Sequence, residues 1–108
     1  MATSTDMTEV LADMREKVIE HALVMETKSR GGIAPKFTSL GFDGMPDRLV
    51  LLPSGRMGFV ELKAPGKKPR ALQEARHRLL RRLGFKVYVI DGIEQIAVVL
   101  KEIGGDAL

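Results

Sequence analysis

Two apolar runs of strand length, Arg48–Leu52 and Met57–Ala64, are separated by little more than Pro53-Ser54-Gly55. Proline presets the backbone for the first turn position and glycine accepts a positive φ, so the three residues predict a tight turn between antiparallel strands. In the second run, Phe59, Glu61 and Lys63 alternate with Val60 and Leu62. Side chains two apart share a face, about 6–7 Å from each other along a strand. Glu61 and Lys63 therefore project together, while Val60 and Leu62 point the opposite way into the core. Closing the hairpin returns Asp47 alongside Glu61 and Lys63.

The remaining elements follow from periodicity and breakers. Residues 1–7 are read as a flexible N-terminus and residues 8–108 as one domain, since 108 residues with 44% apolar and 29% charged content suit a single small core. Leu11, Met14, Val18, Ala22 and Met25 step by three or four, predicting an amphipathic helix from Thr8 to Ser29 with that stripe inward. Gly31 and Gly32 end it. Lys36–Leu40 reads as a short extended piece, and Gly41, Asp43, Gly44 and Pro46 as a loop. A second helix is expected from Arg70 to Leu83, with Leu72, Ala75, Leu79, Leu80 and Leu83 inward and the arginines outward. Lys86–Ile90 reads as a buried strand and Ile93–Ile103 as a last helix. The order α-β-β-α-β-α implies an α/β fold with a mixed sheet flanked by helices, the crossover through the second helix making the last strand parallel to its neighbour.

Composition removes several chemistries. The chain has no cysteine, which excludes disulfides, thiolate nucleophiles and Cys-ligated metals. No glycine-rich segment has phosphate-loop spacing, and 5% aromatic content is too little for a base-stacking platform. Met1–Met7 has no apolar leader core and the longest aliphatic run is Ile96–Leu100, so neither secretion nor membrane spanning is expected. His21 and His77 lie on different helices without ligand spacing and are read as surface or lightly packed residues.

The convergence of Asp47, Glu61 and Lys63 is the feature that carries chemistry. Two close carboxylates repel, and a divalent cation relieves that repulsion. Oxygen donors without His or Cys favour a hard ion such as Mg²⁺ or Mn²⁺. A neighbouring lysine can orient a water or offset charge on a phosphate, the requirements of metal-assisted phosphodiester hydrolysis. Glu16 and Glu20 stand one turn apart on the same side of the first helix, and either could add a carboxylate.

Gly44-Met45-Pro46-Asp47-Arg48, Glu61-Leu62-Lys63 with thirteen residues between Asp47 and Glu61, and Gln73 ten positions past the lysine form an ordered set. It resembles the PD-(D/E)XK nucleases and, within them, the small stand-alone form of the virus-type replication-repair nuclease (VRR-Nuc) domain. The resemblance implies a restriction-endonuclease-like core and binding of Mg²⁺ or Mn²⁺ by Asp47, Glu61 and the main-chain carbonyl of Leu62. It implies that Lys63 is the catalytic lysine, that Gln73 supports it or the scissile phosphate, and that a first-helix glutamate, Glu16 or Glu20, takes part. It further implies structure-selective cutting of branched, Holliday-junction-like DNA by a homodimer, with a phage or bacterial intracellular setting.

Lysine plus arginine total 17 against 14 acids, a net charge of +3. Lys67, Lys68, Arg70, Arg76, Arg78, Arg81 and Arg82 crowd into one segment, a distribution that suits a polyanion. Lys36, Lys67, Lys68, Arg70 and Arg76 are the candidate DNA contacts. The competing expectations are a non-catalytic DNA-binding or assembly module, and a nuclease acting on flaps, nicked duplex or RNA.

Overall fold

The structure, a computed structural model, describes residues 4–105. It comprises α1 (Ser4–Ser29), β1 (Arg48–Leu52), a turn at Pro53–Gly55, β2 (Arg56–Leu62), α2 (Ala71–Arg82), β3 (Val87–Ile90), a short 3-10 turn at Ile93–Gln95 and α3 (Ile96–Gly104). The first helix begins at Ser4 rather than Thr8; residues 1–3 of the expected flexible terminus lie outside the described residues. Among the described residues no helix is long and apolar enough to cross a membrane.

The hairpin forms as its sequence predicts. β1 pairs antiparallel with β2, Arg48 opposite Val60 and Leu52 opposite Arg56, and Ser54 takes a left-handed φ of 67° to close the turn. β3 lies on the other side of β2, parallel to it, with Val60 opposite Tyr88 and Leu62 opposite Ile90. The strand order β1-β2-β3 thus makes β2 the central strand of a mixed sheet. The extended segment before β1 is displaced from its expected position: Ile33 bridges Leu51 and Lys36 bridges Arg48, so the pairing runs over 33–36 and stops where Lys36–Leu40 was expected to begin. Gly32 permits this, because a Cβ there would run into the Leu51 carbonyl.

Both faces of the sheet are covered. Ile19 and Leu23 of α1 and Ile96, Val99, Leu100 and Ile103 of α3 pack with Val50, Leu52, Val60, Leu62 and Ile90 on one face. Leu23, Ile90 and Leu100 are fully buried, each contributing about 1.5–3 kcal/mol. On the other face Leu80 of α2 joins Phe59 and Val87, with Phe37, Met45, Leu49 and Met57 around them.

Two helices present different faces from those expected. In α1 the buried residues are Ile19, Leu23 and Thr27, whereas Leu11, Met14, Val18 and Met25 of the expected stripe are exposed and only Ala22 touches the core. The helix is apolar on two sides, and a period of 3.6 does not say which side meets the sheet. In α2 the buried residues are Gln73, His77 and Leu80, while Leu72 and Leu83 are exposed. α2 turns a polar face inward because it covers Glu61.

Candidate active site

The site sits where β1 begins and β2 ends. The register that pairs Arg48 with Val60 sets Asp47 next to Glu61 and Leu62. One Asp47 carboxylate oxygen, Oδ2, accepts the Leu62 backbone N–H at 2.8 Å, which fixes the carboxylate at the strand end. Pro46 before it is buried, and the Asp47 carbonyl accepts the Phe37 N–H at 2.8 Å, so the loop carrying Asp47 is held on both sides.

Glu61 is almost completely buried, at 1% exposure, on the α2 side of the central strand. A carboxylate in that position needs partners on both oxygens. Gln73 Nε2 donates to Oε2 at 3.1 Å, Lys63 Nζ stands 3.7 Å from the same oxygen, and His77 Nε2 is 3.4 Å from Oε1. The Gln73 carbonyl oxygen accepts the Arg70 N–H at 2.8 Å at the start of α2, so the amide is oriented at both ends. Burial, reinforced by hydrogen bonding to and charge on Asp47, pushes the Glu61 carboxyl up to about 8 from its ordinary 4.5. The site therefore holds two carboxyls that cannot easily both be ionised without a nearby positive charge.

Glu16 and Glu20, equivalent by sequence, part company here. Glu16 is raised in pKa by burial and then by the charge on Asp47, which puts it in the electrostatic field of the same site. Glu20 is tied to Arg48, whose Nε and Nη2 reach its Oε2 at 3.1 and 2.8 Å while Nη1 donates to the Ala34 carbonyl at 2.7 Å. Both line an open cleft of about 350 Å³ with Lys36, Thr38, Asp47 and Leu62. A neighbouring cleft is lined by Glu16, Lys63, Lys67 and Lys68. Arg70 is exposed at the start of α2, whereas the Arg76 guanidinium is engaged by the loop before β1 and packs over Phe42.

His77 is the residue that sequence reasoning misplaced. It is 2% exposed, not a surface group, and burial followed by the charge on Arg81 holds its imidazole below the usual histidine pKa. The available signal was its spacing: four residues after Gln73 on a helix is one turn further along the same face. His21, by contrast, is exposed.

Among the described residues no three His, Asp or Glu side chains form a ready-made metal cage. The donor chemistry nonetheless fits a hard divalent cation. Asp47 and Glu61 would supply oxygen ligands to such an ion and their mutual repulsion would fall on binding it, and ions of this kind routinely complete their shell with backbone oxygens, water and substrate phosphate.

A hairpin with Asp, Glu and Lys where its edge strand begins and its central strand ends, backed by a glutamine-bearing helix, is the core of a restriction-endonuclease-like nuclease. A solved structure described as "VRR_NUC domain" superposes with a TM-score of 0.75 and 30% identity, covering 81% of this chain and 95% of that one. A protein of Acyrthosiphon pisum secondary endosymbiont phage 1, described as "Putative nuclease p44", is 53% identical over 78 residues, which is 72% of this chain and 84% of the relative. No protein-family model matches the sequence. The chain belongs to the VRR-Nuc family of nucleases.

Proposed function

We propose that this chain is a Mg²⁺- or Mn²⁺-dependent endodeoxyribonuclease that hydrolyses phosphodiester bonds, preferentially in branched DNA, as a homodimer. The observation that carries the reading is a carboxylate, Glu61, buried at 1% exposure on a central strand beside Asp47 and 3.7 Å from Lys63. Burying a carboxylate costs stability, and apolar residues would pack this sheet more favourably, so its retention points to chemistry.

Asp47, Glu61 and the Leu62 carbonyl are the residues to hold the ion, with Glu16 as the first-helix carboxylate. When bound, the ion polarises a phosphoryl oxygen and lowers the pKa of a water. Lys63 stands on the solvent side of Glu61, where its ammonium orients the attacking water or offsets charge developing on the phosphate. Gln73 and His77 are positioning residues, one on each Glu61 oxygen, and they limit the rotation of a carboxylate that must stay aimed. Glu20 acts through structure, fastening α1 to Arg48. Lys36, Lys67 and Lys68 line the two clefts, Arg70 is exposed at the start of α2, and all four supply phosphate contacts.

The dimer rests on α1. Met7, Val10, Leu11, Met14, Val18 and Met25 are each 43–57% exposed along one helix. Isolated exposed apolar residues are ordinary, but five of these six follow one another from Met7 to Val18, and such a stripe supports an interface between two copies. The closing experiment is a cleavage assay on four-way junction, flap, nicked and linear duplex DNA and on RNA, with Mg²⁺, Mn²⁺ or EDTA. Metal-dependent cutting strongest on the branched substrates is expected. Binding without cutting under every condition would make the chain a DNA-binding module, and preference for another substrate would replace the branched-DNA reading.

A further inference from the structure

The loop over 38–46, between the 33–36 segment and β1, carries two apolar side chains into solvent beside the candidate site. Leu40 is 93% exposed and Phe42 39%. Such exposure at a loop tip is ordinary when the loop is loose, but this one is braced. At its base the Phe37 N–H bonds the Asp47 carbonyl at 2.8 Å and the Phe37 ring meets Phe59 edge-on at 5.8 Å. Met45 packs in the α2-side core and Pro46 is buried. From α2, Arg76 Nε donates to the Asp43 carbonyl at 2.8 Å and its guanidinium lies 3.9 Å from the Phe42 ring centre. Gly44, at φ 88°, lets the loop press on α2, since a Cβ there would fall 2.9 Å from Leu72 Cγ.

The result is a projection held at its base and along 42–46, with Leu40 at its exposed tip. Thr38, two residues away, lines the cleft that contains Asp47, and Lys36 lies in the same cleft. Leu72, 45% exposed on the first turn of α2, extends the apolar surface toward the basic segment around Arg70 and Lys68.

An apolar tip set among cations and next to a phosphodiester-cutting site matches one kind of surface: bases flanked by phosphates. We propose that the 38–46 loop is a wedge whose Leu40 and Phe42 enter the base stack at a DNA branch point and so confer structure selectivity. The proposal rests on the nuclease reading above and adds to it the part that reads substrate shape. Proteins that kink DNA commonly insert Leu, Phe, Ile or Met between base steps. Unstacking costs least where pairing is already broken, so a wedge discriminates for branches without any base-specific contact. Arg76 serves by holding the Phe42 ring and the Asp43 backbone, a positioning role in place of direct phosphate contact.

The test places 2-aminopurine at the branch point of a four-way junction and in a matched linear duplex. Emission is recorded on binding in Ca²⁺, for the wild type, a Leu40→Ser/Phe42→Ser double variant, and Val98→Ser as an exposed apolar control on α3. Wild type and Val98→Ser should raise junction emission several-fold and leave the duplex unchanged, and the double variant should lose the rise. The ratio of junction to duplex cleavage in Mg²⁺ should fall roughly tenfold in the double variant, the size of one lost apolar anchor. Wild-type emission and an unaltered ratio in a folded double variant would overturn the wedge and leave the nuclease reading intact. A dimer-to-monomer shift of the double variant in light scattering would assign the tip to a partner chain and equally overturn it. If the wild type cuts no DNA at all, the nuclease reading fails while the emission still decides whether the tip enters the stack.

Discussion

Replacing Glu61 by glutamine should make the protein more stable at alkaline pH while abolishing its activity. The Glu61 carboxyl titrates at about 8 in the folded chain against 4.5 in its ordinary state. The folded state therefore holds a proton between those values that the unfolded state has released. Stability from this group is fully present below about 4.5 and is lost as pH rises through about 8. At 1.36 kcal/mol per pH unit of displacement the loss is on the order of 3–5 kcal/mol. Glutamine keeps the shape and an acceptor for Gln73 but has nothing to ionise. The difference in unfolding free energy, Glu61→Gln minus wild type, should climb by that amount between pH 4.5 and 8.5 in EDTA. In a domain of this size that is a gap of at least about 10 °C in Tm at the alkaline end. Urea unfolding at a series of pH values reads it directly, and subtraction removes the carboxylates the two proteins share. Adding Mg²⁺ at pH 8 should close part of the gap by stabilising the wild type alone. Parallel stability curves for the two proteins across the whole window would refute the picture of Glu61 as a buried, strained carboxyl.

Three further outcomes follow from the same geometry. Lys63→Ala should lower cleavage by about 10²–10³-fold or more while the fold is kept, because Gln73 and His77 still partner the Glu61 carboxyl; a rate near wild type would remove the lysine from the mechanism. Glu16→Gln should weaken Mn²⁺ binding in calorimetry at little cost in stability. Glu20→Gln should do the reverse, losing about 1–3 kcal/mol by stripping Arg48 of its partner; the opposite pattern would exchange their roles. Apparent Mn²⁺ affinity should rise up to tenfold per pH unit between pH 6 and 8 and flatten above, since binding must displace the proton held by Glu61; a pH-independent affinity would argue against Glu61 as a ligand.

Much of the site was legible in the chain because strand geometry is rigid. The Pro53-Ser54-Gly55 turn sets the register, period two puts Glu61 and Lys63 on one face, and Asp47 then returns beside them. The helices carried less information. α1 is apolar on two sides, and only the positions of Val50, Leu52 and Val60 decide that Ile19 and Leu23 go inward while Met14 and Val18 stay out. In α2 the leucine pattern misleads, since the helix serves Glu61 as well as the core and buries Gln73 and His77 where Leu72 was expected. Glu16 and Glu20 are told apart from outside α1, Asp47 acting on the first and Arg48, contributed from 28 residues away by β1, partnering the second. No local pattern in α1 contains that partner.

Crystals grown with Mn²⁺ and measured at a wavelength where manganese scatters anomalously examine the pocket without relying on turnover. A single strong anomalous peak within ligand distance of the Asp47 and Glu61 carboxylates and the Leu62 carbonyl is the outcome these residues require. A map with no peak there, or with manganese bound only elsewhere on the surface, would contradict it.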